Sequence, residues 1–128
     1  MAHILIVEDD EYLASVIKKA LESSPTHSVS ISTTVEDAWL RLQTGGVQLV
    51  LLDIMLTEES GFDLLKLVRN YPNVSSEVPI IMLTNHGQID KIERAHQLGA
   101  NDFFIKSQLD LDSLITRIDR KMIEYSHS

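Results

Sequence analysis

No cysteine occurs among the 128 residues, which excludes a disulfide framework, a thiolate metal site and a cysteine nucleophile, and fits a reducing compartment. Basic residues are outnumbered, 11 Lys and Arg against 19 Asp and Glu for a net charge of −8, and they form no cluster. Phosphate-backbone recognition needs such clusters, so no direct nucleic-acid binding is expected. No apolar run approaches the roughly 20 residues that span a membrane. The start, Met1-Ala2-His3, lacks the basic segment and apolar core of a signal peptide. These absences lead to the expectation of a soluble cytoplasmic protein with no membrane partner. Low-complexity segments and internal linkers are missing too, and 44% hydrophobic with 23% charged residues is the balance of one globular domain able to bury a sizeable core.

What is present is organised around Leu49-Val50-Leu51-Leu52-Asp53. An apolar strand without polar alternation is buried on both faces, as in a parallel sheet covered by helices. Similar short runs are His3–Val7, Ile80–Leu83 and Phe103–Ile105, stopping at Glu8, Thr84 and Lys106. Val29–Ser32 alternates and is expected at a sheet edge. Between the strands lie helical patterns: Leu13, Val16, Ile17, Ala20 and Leu21 with Asp10 as N-cap; Ala38, Trp39 and Leu42 up to Gly45-Gly46; Phe62, Leu65 and Val68. They are followed by Ile89, Ile92 and Ala95 up to Gly99, a narrow face expected to pack weakly, and by Leu111, Leu114, Ile115, Ile118 and Met122. A strand-helix unit repeated five times implies right-handed crossovers and an α/β fold with helices on both faces of a parallel sheet.

All strand ends then share one rim, where such sheets place their chemistry. That rim carries Glu8, Asp9, Asp53, Thr84 and Lys106. Two carboxylates about 4 Å apart repel by roughly 4 kcal/mol at an effective dielectric near 20, so the trio needs a proton or a cation. Oxygen donors without His or Cys suit a hard ion, Mg²⁺ or Mn²⁺. With the ion and Lys106 nearby, a phosphoryl group is the natural guest, and Asp can be its nucleophile.

Val7-Glu8-Asp9, Asp53 with Gly61 eight residues on, Leu83-Thr84 and Phe103-Phe104-Ile105-Lys106 together resemble the receiver domain of two-component response regulators, in order and over essentially the whole chain. The resemblance implies a flavodoxin-like (βα)5 three-layer sandwich of strand order 2-1-3-4-5, with residues 1–125 as the receiver and 126–128 as a short tail. It implies that Asp53 accepts phosphate from a sensor histidine kinase or phosphotransfer protein. Asp9, Asp53 and the Met55 carbonyl would hold Mg²⁺ directly, and Glu8 through water. Lys106 and Thr84 would bind the phosphoryl oxygens, and Phe103 would be the aromatic switch, so that the surface of helix 4, strand 5 and helix 5 is reshaped for a downstream protein. A phosphorylation-dependent homodimer is left open. The implied module catalyses only its own Mg²⁺-dependent phosphorylation and dephosphorylation, and is not otherwise an enzyme.

Several positions depart from the family pattern or vary within it. Thr57 and Ser107 stand where prolines are usual. The family's Lys-Pro bond is cis, so Ser107 either bears a non-proline cis bond, costing about 2.5–4 kcal/mol, or lies in a trans loop that shifts Lys106. Asn85 replaces a small residue and is expected to crowd the entrance to Asp53. Met55 and His86 occupy the positions flanking the water that attacks phosphoaspartate. An apolar Met55 cannot orient that water, so self-dephosphorylation is expected to be slow, unless His86 assists it.

Plainer roles stand beside these. Asp53 alone would be a turn residue, Thr84 a backbone-bonded hydroxyl, Lys106 a solvated charge and Phe103 simple core. His3, His27, His96 and His127 are scattered and read as surface or strand-end residues, and Trp39 as helix packing. Among competing functions, a degenerate receiver acting as a phosphorylation-independent interaction module is opposed by the intact acidic set with Lys106. A haloacid-dehalogenase-type phosphatase needs a second Asp where Met55 stands, and a flavodoxin-like flavin binder needs a phosphate loop where Glu8-Asp9-Asp10 would repel phosphate. With the last helix expected to end near Tyr125, the chain reads as a single-domain regulator or as one piece of a longer protein.

Overall fold

The computed structural model describes residues 2–56, 58–85 and 90–126. Its order is β1 (Ala2–Val7), α1 (Glu11–Glu22), β2 (His27–Ser32), α2 (Val35–Thr44), β3 (Leu49–Asp53), α3 (Gly61–Asn70), β4 (Ile80–Thr84), α4 (Ile92–Gln97), β5 (Asp102–Ile105) and α5 (Leu111–Ser126). All pairings are parallel, and the sheet order is β2-β1-β3-β4-β5.

The continuous apolar runs are explained by two cores, one on each face of the sheet. Leu5, Val7, Val50, Leu52, Ile80 and Met82 point to the face covered by α2, α3 and α4. Their neighbours Ile4, Ile6, Leu49, Leu51, Ile81 and Leu83 point to the face covered by α1 and α5. Side chains alternate along a strand, so a central strand must be apolar at every position to feed both cores. β2 feeds mainly one core and lies at the sheet edge, as its alternation predicts.

Local signals set the helix ends. Asp10 accepts from Leu13 N, Thr34 from Asp37 N and Ser60 from Phe62 N, each satisfying a first-turn donor. In α3 the buried residues are Gly61, Leu64, Leu65 and Val68, so the inward stripe includes Leu64 and leaves Phe62 partly exposed. α4 is six residues long and buries only Ala95, in line with its narrow apolar face. Ile89, counted in that face from the sequence, lies outside the described residues, as do Thr57, His86 and His127.

Arg69, near the end of α3, ties the lower rim together. Its guanidinium donates to Gly99 O, Ser76 O, Val78 O and Asn101 Oδ1 at 2.7–3.0 Å, while its stem packs so close to Gly99 that a Cβ there would meet Arg69 Cγ at 2.8 Å. Arg69→Ala strands these carbonyls, and a loss of about 2–3 kcal/mol is expected. Urea denaturation of the two proteins checks it.

His3 and His27 lie at strand starts, as expected, and both are paired, while His96 is exposed. His3 bonds Ser28 Oγ at 2.6 Å and Ser30 Oγ at 2.9 Å, and His27 Nε2 lies 2.8 Å from Asp119 Oδ1 of α5.

Candidate functional site

β1 and β3 are adjacent and parallel, with Val7 opposite Leu52. Their ends therefore deliver Glu8, Asp9 and Asp53 to one spot. A carboxylate oxygen from each lies within 4.8 Å of the others. Asp53 continues the parity of Leu49 and Leu51, and it is only 2% exposed. Its two oxygens are held separately: Oδ1 accepts from Met55 N at 3.1 Å and Oδ2 from Lys106 Nζ at 2.9 Å.

Lys106 follows β5 and reaches across β4. Its ammonium also donates to Glu8 Oε1 at 2.7 Å, so it bridges two buried carboxylates. The Lys106–Ser107 peptide is trans, and residues Lys106–Gln108 form a 3₁₀ turn. The alternative of a trans loop is thus the one adopted, and the ammonium still reaches Asp53.

One ammonium does not neutralise three carboxylates. Burial, and after it the neighbouring Asp53, push the Glu8 carboxyl up to about 8 against the opposing pull of Lys106. Burial acts to lower the Lys106 pKa, yet hydrogen bonds to Glu8 and Asp53 raise it overall. Glu8 Oε2 is buried with no hydrogen-bond partner. An orphaned carboxylate oxygen in a cluster of hard oxygen donors fits a divalent cation such as Mg²⁺ or Mn²⁺, which Glu8, Asp9 and Asp53 could hold.

Gly61 closes the site from below. Its N–H donates to Ile54 O at 2.7 Å, and a Cβ there would fall onto the carbonyl oxygen of Asp53 and 3.1 Å from its carbonyl carbon. Glycine is needed for this close approach of backbone to backbone. Thr84, fully buried, donates its hydroxyl to Asn85 O at 3.2 Å; Asn85 itself is exposed.

Phe103 is not plain core. It is 38% exposed, whereas Phe104 is 8% exposed and lies under the Arg117 guanidinium at 4.5 Å. Phe103 edges a cavity of about 550 Å³ beside α4, lined also by Met82, Ile92, Ala95 and His96. The short α4 leaves this face of β5 uncovered.

Of the residues singled out from the sequence, Glu8, Asp9, Asp53, Lys106 and the Met55 amide are brought together, while Thr84 bonds Asn85 O and Phe103 lies beside α4; His86 and Thr57 lie outside the described residues. Sequence reasoning did not foresee the Glu8–Lys106 bond, nor Lys91, whose Nζ lies 3.8 Å from Met55 Sδ. Pairs 98 and 36 positions apart leave no local pattern.

Comparison with known proteins gives one answer. Residues 4–119 match the response regulator receiver domain family. Among curated proteins, the uncharacterized transcriptional regulatory protein YkoG of Bacillus subtilis is 36% identical over 116 residues, 91% of this chain and 49% of its own length. The transcriptional regulatory protein CpxR of Escherichia coli is 35% identical over 128 residues, 99% of this chain and 51% of its own. The chain thus spans about half the length of the curated relatives it matches. A crystal structure of a putative response regulator from Chloroflexus aurantiacus superposes with a TM-score of 0.86 at 26% identity, covering 95% of this chain and 98% of that one.

Proposed function

The chain belongs to the response regulator receiver domain family, and from that premise we propose that Asp53 accepts a phosphoryl group from a phosphohistidine on a sensor histidine kinase or phosphotransfer protein. The carrying observation is the Lys106 ammonium held 2.9 Å from Asp53 Oδ2 within the carboxylate cluster. An Asp53 carboxylate oxygen attacks phosphorus as the donor's bond to it breaks. The Met55 amide holds Asp53 Oδ1 and so orients the carboxylate, while Lys106 neutralises charge on the phosphoryl oxygens. Asp9, Asp53 and the Met55 carbonyl would hold Mg²⁺, with Glu8 acting through water, and the ion would supply charge neutralisation there.

Burial of Asp53 at the foot of the site keeps bulk water off the acyl phosphate, and the Met55 thioether offers an attacking water only a weak acceptor. Among the described residues no helix is long and apolar enough to cross a membrane.

Phosphorylation becomes a signal when the Thr84 hydroxyl leaves Asn85 O for the phosphoryl group and Phe103 packs into the cavity beside α4. One hydrogen bond to a charged group contributes roughly 1.5–3 kcal/mol, whereas moving a two-state equilibrium from 1:99 to 99:1 takes about 5.5 kcal/mol. Thr84, Lys106 and Phe103 must therefore act together on the α4-β5-α5 surface that a partner reads. Thr84→Ala is expected to take up phosphate yet lose roughly tenfold or more of the phosphate-induced gain in partner affinity. Partner titration with and without phosphate measures this, and a full gain in the variant contradicts the relay.

Incubation with acetyl phosphate tests the reading itself. Intact mass is expected to rise by one phosphoryl group with Mg²⁺, and to stay unchanged with EDTA or in Asp53→Asn. A protein that gains no phosphate and does not bind beryllofluoride with Mg²⁺ would instead be a phosphorylation-independent interaction module.

A further inference from the structure

The turn after β3 places one methionine at the mouth of the acidic site. Met55 bridges antiparallel to Ser60, and Leu56 N donates to Glu59 O at 3.0 Å. In this extended turn Ile54 and Leu56 point inward and are buried, while Met55 points out and is 44% exposed. Its amide holds Asp53 Oδ1, and its thioether sulfur lies 3.8 Å from the Lys91 ammonium just before α4. The other described methionines are shielded, Met82 at 1% exposed and Met122 partly buried against the α1/α5 core.

We propose that Met55 is an oxidation site for hydrogen peroxide, and that its sulfoxide, held by Lys91, shortens the life of the phosphate on Asp53. The lifetime effect rests on the phosphoacceptor reading above. A sulfur lone pair of Met55 attacks one peroxide oxygen; the S–O bond forms, the O–O bond breaks, and the departing hydroxide takes the proton given up by the oxygen now on sulfur and leaves as water. Sulfur is oxidised by two electrons and peroxide is reduced by two. Among the described methionines, exposure makes Met55 the accessible sulfur. A thioether is a weak hydrogen-bond acceptor, whereas a sulfoxide oxygen is a polar one. One of its lone pairs takes the Lys91 N–H already directed at this side chain. The other is free to accept from a water two residues from the acyl phosphate, the service that an apolar Met55 withholds. Oxidation thereby turns a shield into a water-orienting group, and it ties the β3–α3 turn to α4.

Brief treatment of the protein with dilute hydrogen peroxide followed by peptide mass spectrometry is expected to show Met55 oxidised at least about tenfold faster than Met82 and Met122. Treated and untreated samples are then charged with acetyl phosphate and Mg²⁺, the donor is removed, and loss of phosphate is timed. The oxidised protein is expected to lose phosphate roughly three- to tenfold faster, the kinetic worth of one ordinary hydrogen bond. Methionine sulfoxide reductase restores the slow rate, and peroxide has no effect on the rate in Met55→Leu. Oxygen appearing first on Met82 or Met122, equal lifetimes before and after oxidation, or an undiminished peroxide effect in Met55→Leu overturns the proposal. An untreated protein that never takes up phosphate overturns the phosphoacceptor reading and the lifetime effect with it, while the peptide map still decides whether Met55 is the oxidised residue.

Discussion

Lys106→Met is expected to lose about 3–5 kcal/mol of folding stability in metal-free buffer. Methionine keeps the stem's apolar volume, so the loss isolates the charge. Without the ammonium, Glu8 Oε1 and Asp53 Oδ2 lose their shared donor while both residues stay buried. The deficit should depend on pH in a defined direction. Glu8 already holds its proton up to about 8, against an ordinary value of 4.5. A carboxyl that binds its proton more tightly when folded contributes stability below its unfolded pKa, and that contribution fades as pH rises towards the folded value. Lys106 is what opposes this rise, so its removal is expected to cost less near about pH 5 than near about pH 8. A divalent cation would substitute for the missing charge, and saturating Mg²⁺ should recover part of the loss. Urea denaturation at the two pH values, with EDTA and with Mg²⁺, measures all three effects. Unchanged stability throughout would contradict an ion-paired site.

Gly61→Ala is the second large effect, and it acts through shape. The added methyl falls onto the carbonyl of Asp53, which is backbone and cannot turn aside as a flexible side chain would. Either the start of α3 or the end of β3 must move. Overpacking usually costs 1–3 kcal/mol; against backbone the expectation is at the top of that range, about 3 kcal/mol. Function should suffer more than stability. Displacing a reacting carboxylate by about 1 Å costs on the order of a hundredfold in rate. Phosphorylation by acetyl phosphate is therefore expected to slow by roughly that factor while the variant remains folded by circular dichroism. A variant that reacts at the wild-type rate would show that Asp53 is not positioned through α3.

Much of this architecture could be read directly from the residues, because a central parallel strand has no polar face to interrupt it. Leu49–Asp53 and Ile80–Thr84 are buried at every position, so their strand character, their place in the sheet and the abrupt polar stops at Asp53 and Thr84 all follow from one pattern. The acidic cluster followed from the same logic, since parallel strands must end on one rim. The α3 face was harder. Its stripe begins at Gly61, which has no side chain to mark it, so Phe62, Leu65 and Val68 suggested a register that overlooks Leu64. Phe103 and Phe104 are adjacent and chemically alike; which of them is core depends on how far α4 extends over β5, a property of packing rather than of either residue. The Arg69 contacts were invisible for a different reason. Its partners are mainly backbone carbonyls, and any residue type supplies those.

The proposed signalling role depends on where the phosphoryl group lands. After exposure to acetyl phosphate and Mg²⁺, borohydride reduction of the acyl phosphate marks the acceptor permanently, and peptide mass spectrometry then identifies the marked side chain. The account predicts a single reduced residue, Asp53, with none in EDTA. A label on Asp9 or Glu8, or no label at any carboxylate under saturating donor, would contradict it.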